Sequence, residues 1–202
     1  MEKLIERDFY LNPDVVEVAR KLLGKRLITV VDGEKCSGII CETEAYAGIA
    51  DKASHAFGGR RTERTEIMYR IGGTAYVYLC YGVHSLFNVV TSVRDEPHAV
   101  LIRGIIPEVG IEIMARRKNK LLIKNKDGIG PGNVSKLLGI HYSMSGLDLC
   151  KPEADNAIWI EETGLVAHEP EIIRGPRVGV EYAGEDAKLP YRFIWKTALT
   201  FI

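Results

Sequence analysis

The sequence predicts an α+β protein whose sheet is mostly antiparallel. Two observations indicate this class. Short turn sequences such as Asp32-Gly33 and Tyr81-Gly82 follow or join β-rich runs, and the helical patterns do not alternate with the strands as a parallel doubly wound sheet requires. The chain has 202 residues, of which 46% are hydrophobic, enough for one sizeable core. Length therefore predicts one domain or at most two small ones.

The first predicted element is a helix near the N-terminus. Asn12 is expected as its N-cap and Pro13 as its first residue, followed by apolar residues at helical spacing and closed by Gly24. The β-rich run Arg26–Val31 then predicts a strand, which ends at the turn sequence Asp32-Gly33.

A second strand is predicted over Ser37–Tyr46, and it carries an unusual pair of acids. Regular alternation would place four of its side chains on one face: Ile40, Glu42, Glu44 and Tyr46. Acids are depleted inside strands, and a buried carboxylate costs free energy unless it is paired or used. The alternative is a solvent-exposed strand face on which both acids are hydrated.

The rest of the chain predicts a hairpin and several short elements. The segment Gly48–Arg64 is polar and contains glycines, so we expect a loop or a short helix. The runs Thr74–Cys80 and Val83–Ser92 predict the two strands of the hairpin, with Tyr81-Gly82 at its turn. Four further runs predict short strands: Ala99–Arg103, Ala157–Glu161, Arg177–Val180 and Arg192–Trp195. Two more helices are predicted, one opening at Pro107 and one at Gly130-Pro131 that stops at Gly139.

Three tyrosines cluster at the predicted hairpin. Tyr76 is expected to be a core or cross-strand aromatic residue. Tyr81 falls at the turn, where no core is available, so we expect its ring to contact a partner instead. The polar residues His55, Asn88 and Arg103 carry no signal individually, because a single histidine is more often structural than catalytic.

Basic residues are concentrated in the middle of the chain. The formal net charge is zero, but residues 60–126 contain twelve Lys or Arg and six Asp or Glu, whereas residues 151–202 contain six and nine. A positively charged face would suit a polyanion, because phosphate neutralisation is local and not a property of the whole chain. A hydrated lysine-rich loop is the alternative explanation.

Composition argues against several classes of protein. The longest nearly uninterrupted apolar stretch, Ala75–Val83, has about nine residues, whereas a membrane-spanning helix needs about 20. The first residues contain no apolar signal core, so we expect no secretion. The four cysteines lack C-x-x-C spacing, which favours buried free thiols over a zinc ribbon or a disulfide scaffold. No metal or other cofactor is expected. The cysteines are Cys36, Cys41, Cys80 and Cys150.

Longer blocks of the sequence resemble a known enzyme family. ETEAY at Glu42–Tyr46, SHAFGGRRT at Ser54–Thr62 and GTAYVYLCYGVHSLFN at Gly73–Asn88 are similar to blocks of the alkyladenine (3-methyladenine or methylpurine) DNA glycosylases. The later blocks of that family resemble VLIRG at Val100–Gly104, GPGNVSKLLGI at Gly130–Ile140 and RVGVEYAGEDA at Arg177–Ala187. Several long blocks in the same order form a far more specific signal than one short motif.

The resemblance implies roles for individual residues. Glu44 would be the catalytic carboxylate, and Tyr81 would intercalate into the duplex. The base pocket would be formed by Tyr46, His55, Tyr78 and Asn88, with Asn88 discriminating against the amino group of normal guanine. Arg103 would lie in the same region, and the basic segment adds Arg60 and Arg64 as candidates for contact with DNA or the pocket.

The resemblance also implies a single domain over residues 1–202, with a curved sheet, flanking helices and a protruding hairpin, together with a function. Such an enzyme flips alkylated or deaminated purines, with 3-methyladenine, 7-methylguanine, hypoxanthine and ethenoadenine as candidates. A water activated by Glu44 would hydrolyse the N-glycosidic bond and leave an abasic site. Lys52 matches no covalent role in the family, so we expect a monofunctional glycosylase. The expected partner is double-stranded DNA, bound by a monomer away from membranes, in the cytoplasm or nucleoid of a bacterium or in a eukaryotic nucleus.

Two other functions are compatible with the residues alone. A non-catalytic nucleic-acid-binding module would use the basic segment, but it would leave Glu44 unexplained in a groove for an anionic ligand. A hydrolase of free nucleosides would use the acid, but it would give no purpose to the basic segment or to an exposed Tyr81.

Overall fold

The computed structural model describes residues 3–196, within which nine strands form one curved antiparallel sheet. Residues 1–2 and 197–202 of the predicted 1–202 domain lie outside the described residues. Every strand pair is antiparallel, and the helices flank the sheet without alternating regularly with its strands. The predicted α+β class is therefore confirmed.

The strands branch around one central strand. In chain order they are β1 (Lys3–Leu4), β2 (Arg26–Val31), β3 (Glu34–Tyr46), β4 (Ala75–Cys80), β5 (His84–Thr91), β6 (His98–Val109), β7 (Ala157–Glu162), β8 (Ile172–Gly175) and β9 (Arg192–Trp195). Neighbours follow the order β1-β7-β2-β3-β6-β5-β4, and β8 and β9 form a branch on β3. One edge of β3 pairs first with β2 and then, at Glu42–Glu44, with β9. The two acids of β3 thus lie where the sheet forks.

The strand β3 departs from regular alternation next to its acids. Its pairing with β6 is irregular between Ile40 and Glu42, and again between Glu42 and Thr43. A bulge changes the direction in which neighbouring side chains point. The predicted common face for Ile40, Glu42, Glu44 and Tyr46 is therefore wrong for Ile40, which packs into the main hydrophobic core.

The predicted hairpin is formed by β4 and β5, paired from Ala75 opposite Val89 to Cys80 opposite His84. Alternation along β4 sends Ala75 and Val77 into the main core. The side chains of Tyr76 and Tyr78 lie on the opposite face, in a second, smaller cluster. This face of the sheet carries the candidate site.

The four α-helices pack into the main core, on the other face of the sheet. They are α1 (Arg7–Tyr10), α2 (Val15–Lys21), α3 (Ile111–Lys118) and α4 (Pro131–Leu138). Short 3-10 helices span Gly48–Ala50, Phe57–Gly59, Glu66–Tyr69, Asn125–Gly128, Tyr142–Met144, Glu169–Glu171 and Glu181–Lys188. The first two confirm the short helical structure allowed for Gly48–Arg64. Within residues 3–196, no helix combines the length and apolarity needed to cross a membrane.

The first long helix starts two residues later than predicted. Its N-cap is Asp14, whose carboxylate accepts hydrogen bonds from the amides of Val16 and Glu17, both at 3.0 Å. The Oδ1 of Asn12 instead accepts a hydrogen bond from the Asp14 amide at 2.9 Å, which orders the turn before the helix. Asp14 therefore replaces Asn12 as the cap because it reaches two free amides of the first turn.

Pro107 does not open a helix. It lies in β6 opposite Gly38, beside an irregularity in the pairing with β3. Proline is tolerated at such positions in a sheet, because no regular ladder hydrogen bond is lost. The helix α3 begins only at Ile111, after Gly110 has turned the chain with a φ of 78°.

The predicted strand at Arg177–Val180 is also wrong, because this segment has no regular secondary structure. The strand β8 ends just before it, at Gly175. Arg177 is buried in an ion pair with Asp51, which holds the segment against the loop after β3.

The four cysteines were expected to be buried free thiols. Cys36 and Cys41 are buried, but Cys80 and Cys150 are only half-buried.

Candidate active site

A cavity of about 360 Å³ opens on the face of the sheet that carries Tyr76 and Tyr78. Its size falls within the range typical of small-molecule sites. Seven of the nine predicted site residues line it: Tyr46, His55, Arg64, Tyr78, Tyr81, Asn88 and Arg103. Segments far apart in sequence thus meet around one cavity. Glu44 and Arg60 are not among the lining residues, so their positions are described separately.

Glu44 is fully buried behind the cavity wall, with 0% of its surface exposed. Its Oε2 accepts a hydrogen bond from the Tyr46 hydroxyl at 2.9 Å, and its Oε1 accepts one from the Val178 amide at 2.9 Å. The Nε of Arg103 lies 3.4 Å from the same Oε1. Since Tyr46, Arg103 and Val178 all line the cavity, Glu44 is one side chain away from whatever occupies it.

Burial dominates the acidity of Glu44. Removal from water raises the pKa of this carboxyl, and the charge of Arg103 together with the hydrogen bonds from Val178 and Tyr46 opposes this rise only in part. A carboxylate with a raised pKa is a stronger base than one in water, as expected of a group that accepts a proton in a reaction.

A buried charge network connects the two acids of β3. Glu42 is 3% exposed, and its Oε1 accepts hydrogen bonds from the Nε of Arg103 at 3.1 Å and the Nε of Arg192 at 2.6 Å. Arg103 therefore lies between Glu42 and Glu44, at the irregular pairing of β3 with β6. The burial of both acids excludes the solvent-exposed strand face that the sequence alone left open.

Aromatic rings form one wall of the cavity. The rings of His55 and Tyr78 meet at 77° with centroids 4.7 Å apart, and Tyr76 lies 5.5 Å from Tyr78. The Tyr76 hydroxyl is 2.9 Å from Nδ1 of His55. Burial, together with the charges of Arg64 and Arg60, lowers the pKa of His55 to about 4. The imidazole is therefore neutral at pH 7 and adds a flat, uncharged surface to the wall.

Asn88 lies in the cavity lining with its amide group held by the backbone. Its Nδ2 donates to the carbonyl oxygens of Tyr76 at 3.1 Å and Leu86 at 3.2 Å. Both amide hydrogens are thereby used. The polar atom that Asn88 can still offer to a bound molecule is the acceptor Oδ1.

Tyr81 lies at the mouth of the cavity, on the tip of the hairpin. It is 95% exposed, and it and Gly82 both have positive φ, 50° and 69°. The turn therefore projects the phenol ring away from the folded body. Tyr81 therefore does not enter the core, as expected, and its contact with a partner stays a prediction.

The three predicted basic residues occupy different places. Arg103 belongs to the buried network described above. The guanidinium of Arg64 lies 4.9 Å above the Tyr78 ring and 3.4 Å from Nε2 of His55, at the cavity. Arg60 is exposed outside the cavity lining, yet close enough for its charge to lower the pKa of His55.

Two functional candidates were missed by sequence reasoning. Val178 supplies an amide to Glu44, and Arg177 lies 4.8 Å behind the Tyr46 ring. Both belong to a block used for the family resemblance, but no role was assigned to them. Arg177 pairs with Asp51, 126 positions earlier in the chain, so no local spacing could have pointed to it.

Among the described residues, neither a metal cluster nor an amine nucleophile is found at the cavity. Across residues 3–196, no group of three or more His, Cys, Asp or Glu could hold a metal ion. Of the described residues, those that line the cavity include no lysine. Lys52 is exposed, and its backbone amide donates to Asp186.

Comparisons with known proteins agree with this geometry. A family model described as Methylpurine-DNA glycosylase (MPG) matches residues 8–198. A Chlamydia abortus protein named "Putative 3-methyladenine DNA glycosylase" is 44% identical over 196 residues, covering 95% of this chain and 97% of that protein. Proteins of the same name from Bacillus thuringiensis and Desulfitobacterium hafniense are 44% and 42% identical, covering 91% and 95% of this chain and 91% and 94% of theirs. The chain belongs to the methylpurine-DNA glycosylase family, which confirms the predicted monofunctional DNA glycosylase of base-excision DNA repair.

Proposed function

We propose that this DNA glycosylase flips an alkylated or deaminated purine out of double-stranded DNA and hydrolyses its N-glycosidic bond with a water activated by Glu44. The product is an abasic site. The observation that carries this proposal is a buried carboxylate directly behind an aromatic-walled cavity, below an exposed tyrosine. The whole chain, residues 1–202, would act as one glycosylase domain.

Flipping requires that something replace the extruded base in the stack. Extrusion costs a few kcal/mol, because pairing and stacking are lost. The phenol of Tyr81 is 95% exposed at the hairpin tip, and a ring inserted between base pairs restores part of the stacking. Gly82 beside it has no side chain, so the backbone of the turn can approach the DNA closely.

The cavity walls suit a flat purine. Tyr46, His55 and Tyr78 present aromatic surfaces, and stacking on such rings contributes about 1–3 kcal/mol per base. An alkylated purine with a positive charge gains an additional attraction to the tyrosine faces. Asn88 would discriminate against the exocyclic amino group of normal guanine by occupying the space that this group needs, because two backbone hydrogen bonds hold its side-chain amide in place.

The chemistry needs one base and a stabilised sugar cation. A water molecule attacks the anomeric carbon while the C–N bond breaks, and that electron pair leaves with the purine. Glu44 takes the proton of the water, and its negative charge stabilises the oxocarbenium-like sugar. A purine that is already cationic leaves as a neutral molecule and needs no separate acid, whereas hypoxanthine and ethenoadenine are neutral and must take up a proton from solvent as they leave.

A lyase step would need an amine that attacks the sugar. The described residues that line the cavity include no lysine, which supports hydrolysis by water as the complete reaction.

The candidate bases are 3-methyladenine, 7-methylguanine, hypoxanthine and ethenoadenine. We propose that the protein works as a monomer in the cytoplasm, where the DNA of a bacterium lies.

The test replaces the proposed base. We expect Glu44→Gln to slow release of 7-methylguanine from alkylated duplex DNA by about 10²- to 10⁴-fold, because Gln cannot accept a proton. Binding to a duplex with an abasic analogue should stay nearly unchanged, since the shape is kept. Freed bases are measured by chromatography under single-turnover conditions. Glu153→Gln, an exposed acid outside the cavity, is the matched control and should leave the rate unchanged.

Three outcomes would contradict the proposal. Turnover by Glu44→Gln at a rate near that of the unaltered protein would exclude Glu44 as the base. Tight, salt-dependent DNA binding by the unaltered protein without release of any base would favour the binding module. Hydrolysis of free nucleosides faster than of duplex DNA would favour the nucleoside hydrolase.

A further inference from the structure

A buried arginine lies behind the cavity, in a position to which the proposed reaction assigns no role. Arg177 is 4% exposed, and its guanidinium lies over two aromatic rings. It is 4.8 Å from the centroid of Tyr46, which is part of the cavity wall, and 5.3 Å from that of Tyr191. The wall that faces a bound base is thus backed by a fixed cation.

Four hydrogen bonds hold this guanidinium in place. Its Nη1 donates to Oδ2 of Asp51 and to the Ala45 carbonyl oxygen, the latter at 2.8 Å. Its Nη2 donates to Oδ1 of Asp51 at 2.8 Å and to the Asp186 carbonyl oxygen at 3.1 Å. A bidentate ion pair with a carboxylate fixes the plane of the guanidinium as well as its position.

The same ion pair joins the loops on either side of the cavity. Asp51 also accepts the amides of Ala47 at 3.0 Å and Ala53 at 2.9 Å, and Ala53 lines the cavity. On the other side, Val178 follows Arg177 directly and donates its amide to Glu44. A single contact between Arg177 and Asp51 therefore links the loop after β3 to the segment that contacts Glu44.

We propose that Arg177, held by Asp51, is a positioning residue that sets the ring of Tyr46 and the amide of Val178 in their working geometry. It acts through these two groups and does not touch the substrate. The proposal rests on the proposed function, in which Tyr46 stacks on the flipped base and Glu44 activates water.

Arginine suits this task because its guanidinium is planar. It can stack on a ring while two of its nitrogens bind a carboxylate in the same plane, which a lysine ammonium cannot do. A contribution to stability alone is a weaker explanation. Buried ion pairs often add little net stability, because removing both charges from water offsets their attraction. In addition, the buried Nε of Arg177 has no hydrogen-bond partner among the described residues, which adds to the free-energy cost of burying this side chain.

The test replaces the planar group while keeping its charge. We expect Arg177→Lys to lower the single-turnover rate of base release about 10²-fold, the scale that a misplacement near 1 Å produces. Binding to a duplex with an abasic analogue should change little, because the hairpin and the surface arginines are unaltered. Rates are expressed per active site, titrated in the same preparation, so that loss of folded protein does not count as loss of rate.

Arg174→Lys is the matched control. Arg174 also pairs with a carboxylate, that of Glu169, and lies 5.7 Å from an aromatic ring, that of Phe193, but it is exposed and away from the cavity. We expect its rate per active site to equal that of the unaltered protein. A double variant, Asp51→Asn with Arg177→Met, leaves no buried charge unpaired and should show the same slow rate as Arg177→Lys.

Three results would overturn the proposal. The first is a rate per active site of Arg177→Lys that matches that of Arg174→Lys. The second is a normal rate in the double variant, and the third is failure of both Arg177 variants to fold, which would make the pair a requirement for folding. In each case base release by the unaltered protein and its loss in Glu44→Gln would still support the proposed function, so the two ideas fail separately.

Discussion

Glu44 is subject to opposing electrostatic effects that determine the pH at which it could work. Burial raises the pKa of its carboxyl, whereas the charge of Arg103 and two hydrogen bonds lower it, and the net direction is upward. The other charged or titratable groups around it are Glu42 and Tyr46 on the same strand and Arg177 behind Tyr46. A general base works only when deprotonated, so activity should fall as pH drops through this raised pKa.

The acid limb of the pH profile, where the rate falls as pH drops, should move to higher pH when Arg103 is removed. Arg103→Gln takes away the positive charge nearest to Glu44, and the carboxyl then holds its proton to a higher pH. The measurement is the single-turnover rate of base release as a function of pH. Arg116→Gln, which removes an exposed arginine paired with Glu34, is the control and should leave the limb in place. A limb that stays fixed or moves to lower pH in Arg103→Gln would show that Arg103 does not set the charge of Glu44.

At the scale of elements, the hairpin of β4 and β5 is braced at its tip. A side chain at Gly132, at the start of α4, would lie 3.2 Å from Cγ of His84, so the hairpin rests against this helix. Pro131 of the same helix lines the cavity together with Tyr81. The exposed phenol of Tyr81 therefore projects from a supported turn. This support reduces the conformational entropy that the turn would lose when the ring inserts into DNA.

Tyr81→Ser should weaken flipping more than chemistry. Loss of stacking worth about 1–3 kcal/mol should reduce the ratio of flipped to stacked base roughly 5- to 150-fold, and the flipped fraction with it. A fluorescent base at the target position reports that fraction, because its emission rises when it leaves the stack. Tyr142→Ser removes another exposed tyrosine, outside the cavity lining, and should leave the signal unaltered. Equal fluorescence in Tyr81→Ser and the unaltered protein would rule out Tyr81 as the intercalating residue.

At the scale of the whole molecule, a net charge of zero coexists with an exposed arginine, Arg60, whose charge acts on His55 in the cavity wall. Many basic residues of the segment 60–126 are tied into internal pairs; Arg61, for example, binds both Glu66 and Asp95. The guanidinium of Arg60, next to it, has no ion-pair or hydrogen-bond partner among the described residues, and the residue is exposed. Adjacent arginines of the same segment therefore differ in their ability to bind phosphate, which a charge count cannot reveal.

This difference predicts unequal effects on DNA binding. Arg60→Ala should lower the dependence of log Kd on log salt concentration by about one, the loss of one phosphate contact. Arg61→Ala should change the slope less, because its guanidinium is already neutralised by two acids. The measurement is a duplex titration at several salt concentrations. A larger change in Arg61→Ala than in Arg60→Ala would contradict this assignment.

The local pattern of residues was sufficient to predict most of the elements around the site. The strand Arg26–Val31, the hairpin with Tyr81-Gly82 at its turn and the helix closed by Gly139 are confirmed, since alternation and turn residues act over a few positions. The differences at Asp14, Ile40 and Pro107 have local causes as well. They depend on which free amide a side chain reaches and on where a strand pair is irregular. Neither can be predicted from the residues of a single helix or strand.

Turn residues, alternation and the matching blocks were enough to predict the fold class, the family and the candidate residues from Glu44 to Arg103. The tertiary structure alone decided that Glu42 and Glu44 are buried, that Arg103 lies between them, and that Arg177 and Asp51 form a pair behind Tyr46. The physical reason is distance along the chain. Burial and ion pairing depend on which segments cover a side chain, and these contacts join residues more than fifty positions apart, beyond the reach of any local pattern.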